Sequence, residues 1–134
     1  MDFAVLEPGD EAYSALNARL VAFNRQQVDW SDQTFTVVVR DGTDDVRGGA
    51  RGFLRMGAVE VRGVWLDPDL RKSGLGRRLI ERLEEEARAR GASAALLDTY
   101  EFQARGFYES CGYTVLAEFD YPAGLRRFYM TKQL

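Results

Sequence analysis

The chain of 134 residues reads as a mixed β-sheet with helices packed on it, an α/β arrangement. Three observations predict this. Residues 34–40, 46–55 and 58–66 are rich in β-branched or alternating apolar residues and are separated by turn residues. Leu75, Leu79, Leu83 and Ala87 then recur at helical spacing. Beyond them, short apolar runs alternate with a second helix pattern and close in a hairpin.

Taken in order, Phe3, Ala4, Val5 and Leu6 form an apolar run stopped by Pro8-Gly9, which predicts a first strand. Asp10 is a good helix cap, and Tyr13, Leu16, Leu20 and Phe23 share one face after it. Residues 34–40 predict a strand ended by Asp41-Gly42. Residues 46–55 and 58–66 predict two antiparallel strands joined around Met56-Gly57. Gly63 inside the second of these marks a bulge or a close approach. The long helix has Glu84–Arg88 and Glu86–Arg90 pairs on its wet side and stops at Gly91. Glu84-Glu85-Glu86 reads as a solvated face. Residues 94–97 predict a buried strand and 101–111 a short helix ending at Gly112. Residues 113–119 and 127–131 predict a final hairpin. Trp30, Phe35 and Trp65 read as core or as walls of a cleft. No repeat or linker divides the chain, so one domain over 1–134 is expected.

Composition excludes several kinds of chemistry. There is no histidine, which removes imidazole catalysis and His-ligated metal, and no metal centre is expected. The single cysteine, Cys111, permits no intrachain disulfide and reads as a packed residue rather than a nucleophile. Eighteen basic against 21 acidic residues give a net charge of -3, which offers no footprint for nucleic acid. No long apolar run or basic leader is present, so neither membrane nor export is expected and the cytoplasm is the default location.

The informative segment is Leu66-Asp67-Pro68-Asp69-Leu70-Arg71-Lys72-Ser73-Gly74-Leu75-Gly76, between a strand and the long helix. Gly74 and Gly76 let the backbone approach a ligand closely. The first helix amides lack intrahelical acceptors and carry the positive end of the helix dipole. Together with Arg71 and Lys72 this predicts an anion site suited to a diphosphate. Neither the P-loop nor the dinucleotide glycine pattern fits; what remains is Arg-x-x-Gly-x-Gly.

That segment resembles the coenzyme A motif of the GNAT superfamily of acyl-CoA-dependent N-acetyltransferases. Phe107-Tyr108-Glu109-Ser110-Cys111-Gly112-Tyr113 resembles the second signature of the superfamily, in order and spacing. The resemblance is strong over residues 58–134 and rests only on element order over 1–57. It implies a mostly antiparallel mixed sheet of six or seven strands, opened by a V-shaped splay, with three or four helices. It implies that the backbone of Lys72, Ser73, Gly74, Leu75 and Gly76, with Arg71, holds the CoA pyrophosphate. Leu66 and its strand would bond the pantetheine arm. Tyr108 falls on the frequent general acid of the superfamily, and Glu60 on a position where some members keep a glutamate base; Asp98 and Glu101 are rivals. Arg105 stands where the small bacterial subgroup usually has proline, and Leu125 where it often has histidine. Homodimers are common among members.

The expected function is acetyl transfer from acetyl-CoA, as co-substrate, to a primary amine of a small molecule or peptide, by direct attack in a ternary complex. A lysine-like amine has a pKa near 10.4 and must shed a proton before attack. The oxyanion needs a donor, which the strand N–H at Leu66 could supply, and the leaving thiolate needs an acid. The alternative is a noncatalytic acyl-CoA-binding module.

Overall fold

The computed structural model describes residues 1–134, which fall into two compact units, Met1–Ser31 and Asp32–Leu134. The first unit is built around α1 (Glu11–Gln27). Asp10 caps it as expected, accepting a hydrogen bond from the Ala12 amide at 2.7 Å. The strand expected at residues 3–6 does not form. An apolar run alone does not make a strand, because its backbone groups need a neighbouring ladder.

The second unit contains β1 (Gln33–Arg40), β2 (Val46–Arg55), β3 (Ala58–Leu66), a 3-10 turn (Pro68–Leu70), α2 (Leu75–Ala89), β4 (Ala94–Tyr100), α3 (Arg105–Ser110), β5 (Thr114–Asp120) and β6 (Arg126–Gln133). Its six strands form one mixed sheet in the order β1-β2-β3-β4-β6-β5. Every neighbouring pair is antiparallel except β3 with β4.

Alternation puts one face of the sheet under α2 and α3. Ala50, Leu54, Val59, Val61, Ala95, Leu97, Phe128 and Met130 face Leu79, Ile80, Leu83 and Ala87 in one core. The amphipathic stripe of α2 is therefore what the sheet covers. Glu84 departs from its expectation. It is 2% exposed, accepts from Lys132 Nζ at 2.9 Å and from the Tyr113 hydroxyl at 3.1 Å, and ties α2 to β6. Glu85 and Glu86 remain on the wet side with Arg82 and Arg90.

The β2–β3 turn uses Met56 (φ 49°) and Gly57 (φ 79°), a two-residue hairpin with both centres left-handed. Helix α3 is shorter than expected, because residues 101–104 are organised instead by side chains. Gln103 Oε1 accepts from the Tyr100 amide at 2.9 Å, and the buried Thr99 hydroxyl accepts from the Ala104 amide at 3.4 Å. No helix is long and apolar enough to cross a membrane.

Candidate active site

Two strands lose contact at the middle of the sheet. β3 and β4 pair only through Ala58–Ala94, Val59–Ala95 and Glu60–Leu96. β4 keeps β6 along all seven of its residues, and β3 keeps β2 to Leu66. Val61–Leu66 and Leu97–Tyr100 are thus left without a ladder between them, which is the splay the motifs imply. The bulge expected at Gly63 is present: Gly63 and Val64 both stand opposite Ala50, and Gly63 has φ 61°. It re-aims the backbone of β3 where β4 has left it.

After β3 the chain turns into α2 through the candidate anion site. Lys72 (φ 59°) and Gly74 (φ 84°) are both left-handed, so this bend is sharp. The first intrahelical bond runs from the Arg78 amide to the Gly74 carbonyl at 3.2 Å. The amides of Leu75, Gly76 and Arg77 precede it and point out of the helix end. No side chain caps that end. A Cβ on Gly74 would meet nothing within 4 Å, so the corner is open. The Ser73 hydroxyl donates back to the Leu70 carbonyl and stabilises the turn.

Arg71 also makes contacts within the chain. Its Nε donates to the Leu66 carbonyl at 2.8 Å, and its guanidinium lies 4.6 Å from the Trp65 ring centre. It thus braces the end of β3 through Nε and occupies one acceptor position of Leu66. Trp65 is 56% exposed and lies outside the core but lines a depression with Gly48, Gly49 and Gly63; its indole donates to Asp67 Oδ1 at 3.2 Å. Phe35 packs against the core as expected.

The two signatures meet. A Cβ on Gly76 would lie 3.2 Å from the Phe107 ring, so the second motif seats its phenylalanine on the bare backbone of the first. Arg77 Nη2 also donates to the Ser110 carbonyl at 2.7 Å, tying the start of α2 to the end of α3. Next to Phe107, Tyr108 is buried on the helix side, in edge contact with Phe107 and Tyr113 at 5.2 and 6.0 Å. Burial first, then the nearby Cys111 and Asp98, push its phenol up to about 12. Cys111 is a buried thiol, itself raised by burial.

Glu60 lies on the opposite face of the sheet, since Val59 and Val61 on either side of it point into the core. The sheet therefore separates Glu60 from Tyr108. A depression of about 320 Å³ opens beside Glu60, lined also by Phe53, Arg55, Met56, Ala58 and Leu96. Arg62 donates to Glu60 at 2.8 Å, and that bond is the main reason the carboxyl sits below its usual range. Of the rivals, Asp98 is paired with Arg127 at 2.7 Å, and Glu101 Oε1 accepts from the Arg126 amide at 3.0 Å. Arg127, which also donates to the Tyr121 hydroxyl at 3.2 Å, was not foreseen from sequence. Its partner Asp98 lies 29 residues away, and no local pattern encodes such a pair.

A sheet opened between two parallel strands, a glycine-bent helix start and a buried tyrosine one residue on from the ring seated on it make up the candidate site. The chain belongs to the acetyltransferase (GNAT) family, whose model matches residues 6–113. It is 37% identical over 92 residues to blasticidin-S acetyltransferase of Streptomyces morookaense, covering 67% of this chain and 68% of that one. It is 32% identical over 116 residues to acetyltransferase Atu2258 of Agrobacterium fabrum, covering 85% of each. A crystal structure from Agrobacterium tumefaciens, described as an acetyltransferase, superposes with a TM-score of 0.90 over 100% of both chains at 28% identity.

Proposed function

We propose that this acetyltransferase moves the acetyl group of acetyl-CoA to a primary amine by direct attack in a ternary complex. The observation that carries the reading is the parting of β3 from β4 beside the open bend at Gly74. A thioester arm laid along Val61–Leu66 would complete the ladder that β4 abandons. The amides of Lys72, Ser73, Gly74, Leu75 and Gly76 and the outer nitrogens of Arg71 would hold the pyrophosphate. A strand N–H at Leu66 would meet the oxyanion.

The amine gives up one proton, its nitrogen forms the C–N bond, and the C–S bond breaks with a proton passing to sulfur. Tyr108 stays protonated at neutral pH and hydrogen-bonds the departing sulfur. Glu60 is a weak base, because Arg62 holds it ionised. It attracts the ammonium form to the splay, and water carries the proton away once the amine is neutral. The relative named blasticidin-S acetyltransferase favours a small-molecule acceptor.

A thiol-release assay with acetyl-CoA and a panel of small primary amines and peptide N-termini tests this. Amine-dependent release of CoA with matching acetyl-amide product is expected. Tight CoA binding with no transfer across the panel would replace this reading by a noncatalytic acyl-CoA-binding role.

A further inference from the structure

We propose that Arg47, on β2, is a positioning residue for the coenzyme bend: it braces and neutralises the acidic turn that leads into Gly74. The inference rests on the proposed reading that this bend takes a diphosphate. Arg47 Nε bonds Asp67 Oδ2 at 2.7 Å, its Nη2 bonds both oxygens of Asp69 at 2.9 and 2.7 Å, and its Nη1 lies 3.6 Å from Asp41. All three nitrogens of one guanidinium are thereby spent on carboxylates. The backbone repeats the tie, with the Asp67 amide donating to the Arg47 carbonyl at 2.9 Å.

The chain of contacts then continues toward the ligand. Asp67 accepts from the Trp65 indole, the Trp65 ring lies against Arg71, and Arg71 bonds the Leu66 carbonyl. Arg47 therefore fixes, through two side chains, the cation that directly precedes the bend in the chain. It also cancels charge. Asp67 and Asp69 lie within a few residues of a site for a doubly negative group, and without Arg47 they would repel it. The network meets the splay only at Trp65 and the Leu66 carbonyl and includes neither Tyr108 nor Glu60, so the effect falls mainly on binding rather than on the chemical step.

The test uses the full chain as wild type, Arg47→Ala, Arg47→Lys, and Arg47→Ala combined with Asp69→Asn. CoA affinity is read by calorimetry, kcat and KM for acetyl-CoA by thiol release, and folding by thermal melting. Arg47→Ala is expected to weaken CoA binding about fivefold or more and to raise KM equally, with kcat within about twofold. Removing the Asp69 charge should restore part of that affinity. Arg47→Lys, which keeps the charge and loses the fork, should fall between wild type and Arg47→Ala. This variant also serves if Arg47→Ala fails to fold. Unchanged CoA affinity in Arg47→Ala, or a fall in kcat with no recovery on Asp69→Asn, overturns the inference and leaves the site reading intact. Wild-type protein that binds no CoA overturns both.

Discussion

Burial holds the Tyr108 proton in place up to about pH 12, so this phenol is a donor throughout the neutral range. Its sign is that of an acid whose charged form is disfavoured, and the active, protonated form persists as pH rises. Tyr108→Phe is expected to lower kcat by about 100-fold while leaving CoA affinity within about twofold. The wild-type rate should show no alkaline loss from this group between about pH 7 and 9.5. Thiol-release profiles of both proteins decide this, and an unchanged kcat would remove Tyr108 from the chemistry. At the same scale Glu60 shows what a sequence conceals. Its position six residues before Leu66 is legible, but the Arg62 bond that weakens it as a base depends on side-chain geometry across two residues of one strand.

At the scale of elements, the bend before α2 rests on a left-handed Gly74 with empty space around it. Gly74→Ala introduces no clash, so its cost is backbone strain of about 1–2 kcal/mol. Weaker CoA binding and a lower unfolding midpoint in urea are the expected readouts. Gly76 is limited by space instead, and there the added carbon must displace Phe107. The β2–β3 hairpin was legible to the residue, because alternation and a Met56-Gly57 turn specify register together. The start of α3 was not. Thr99 and Gln103 recruit backbone groups that a helix from residue 101 would have used, and their reach across the turn leaves no periodic trace. The run at residues 3–6 has strand composition without a strand, since pairing is settled elsewhere in the chain.

On the scale of the whole molecule, long-range ion pairs organise the sheet unit. Glu84 and Lys132, 48 residues apart, join α2 to β6 under Tyr113. Lys132→Met would leave a buried carboxylate with Tyr113 and a distant Arg88, costing about 3 kcal/mol in chemical denaturation. A loss below about 1 kcal/mol would show that Tyr113 and Arg88 suffice. Acid sensitivity follows from the same charge pattern. Glu60, Asp67, Asp41 and Glu86 are all held below their usual range by cations or hydrogen bonds. Their contribution is present above the ordinary carboxylate range and is lost as pH falls through the lowered values. Unfolding midpoints should therefore be level from about pH 5 to 8 and drop below about pH 4. A midpoint that holds to pH 3 would contradict this. Element order and both signature motifs were readable along the chain. The pairs Arg47–Asp67, Arg127–Asp98 and Lys132–Glu84 were not, because each joins residues 20 or more positions apart.

Phe107 resting on Gly76 links two stretches of chain that look independent on paper. A methyl group gained at 76 crowds that ring, and trimming Phe107 to leucine makes room for it. Drift at one site is thus conditional on drift at the other. The double change Gly76→Ala with Phe107→Leu should retain more acetyl-CoA turnover than Gly76→Ala alone, an epistasis written into a single van der Waals gap.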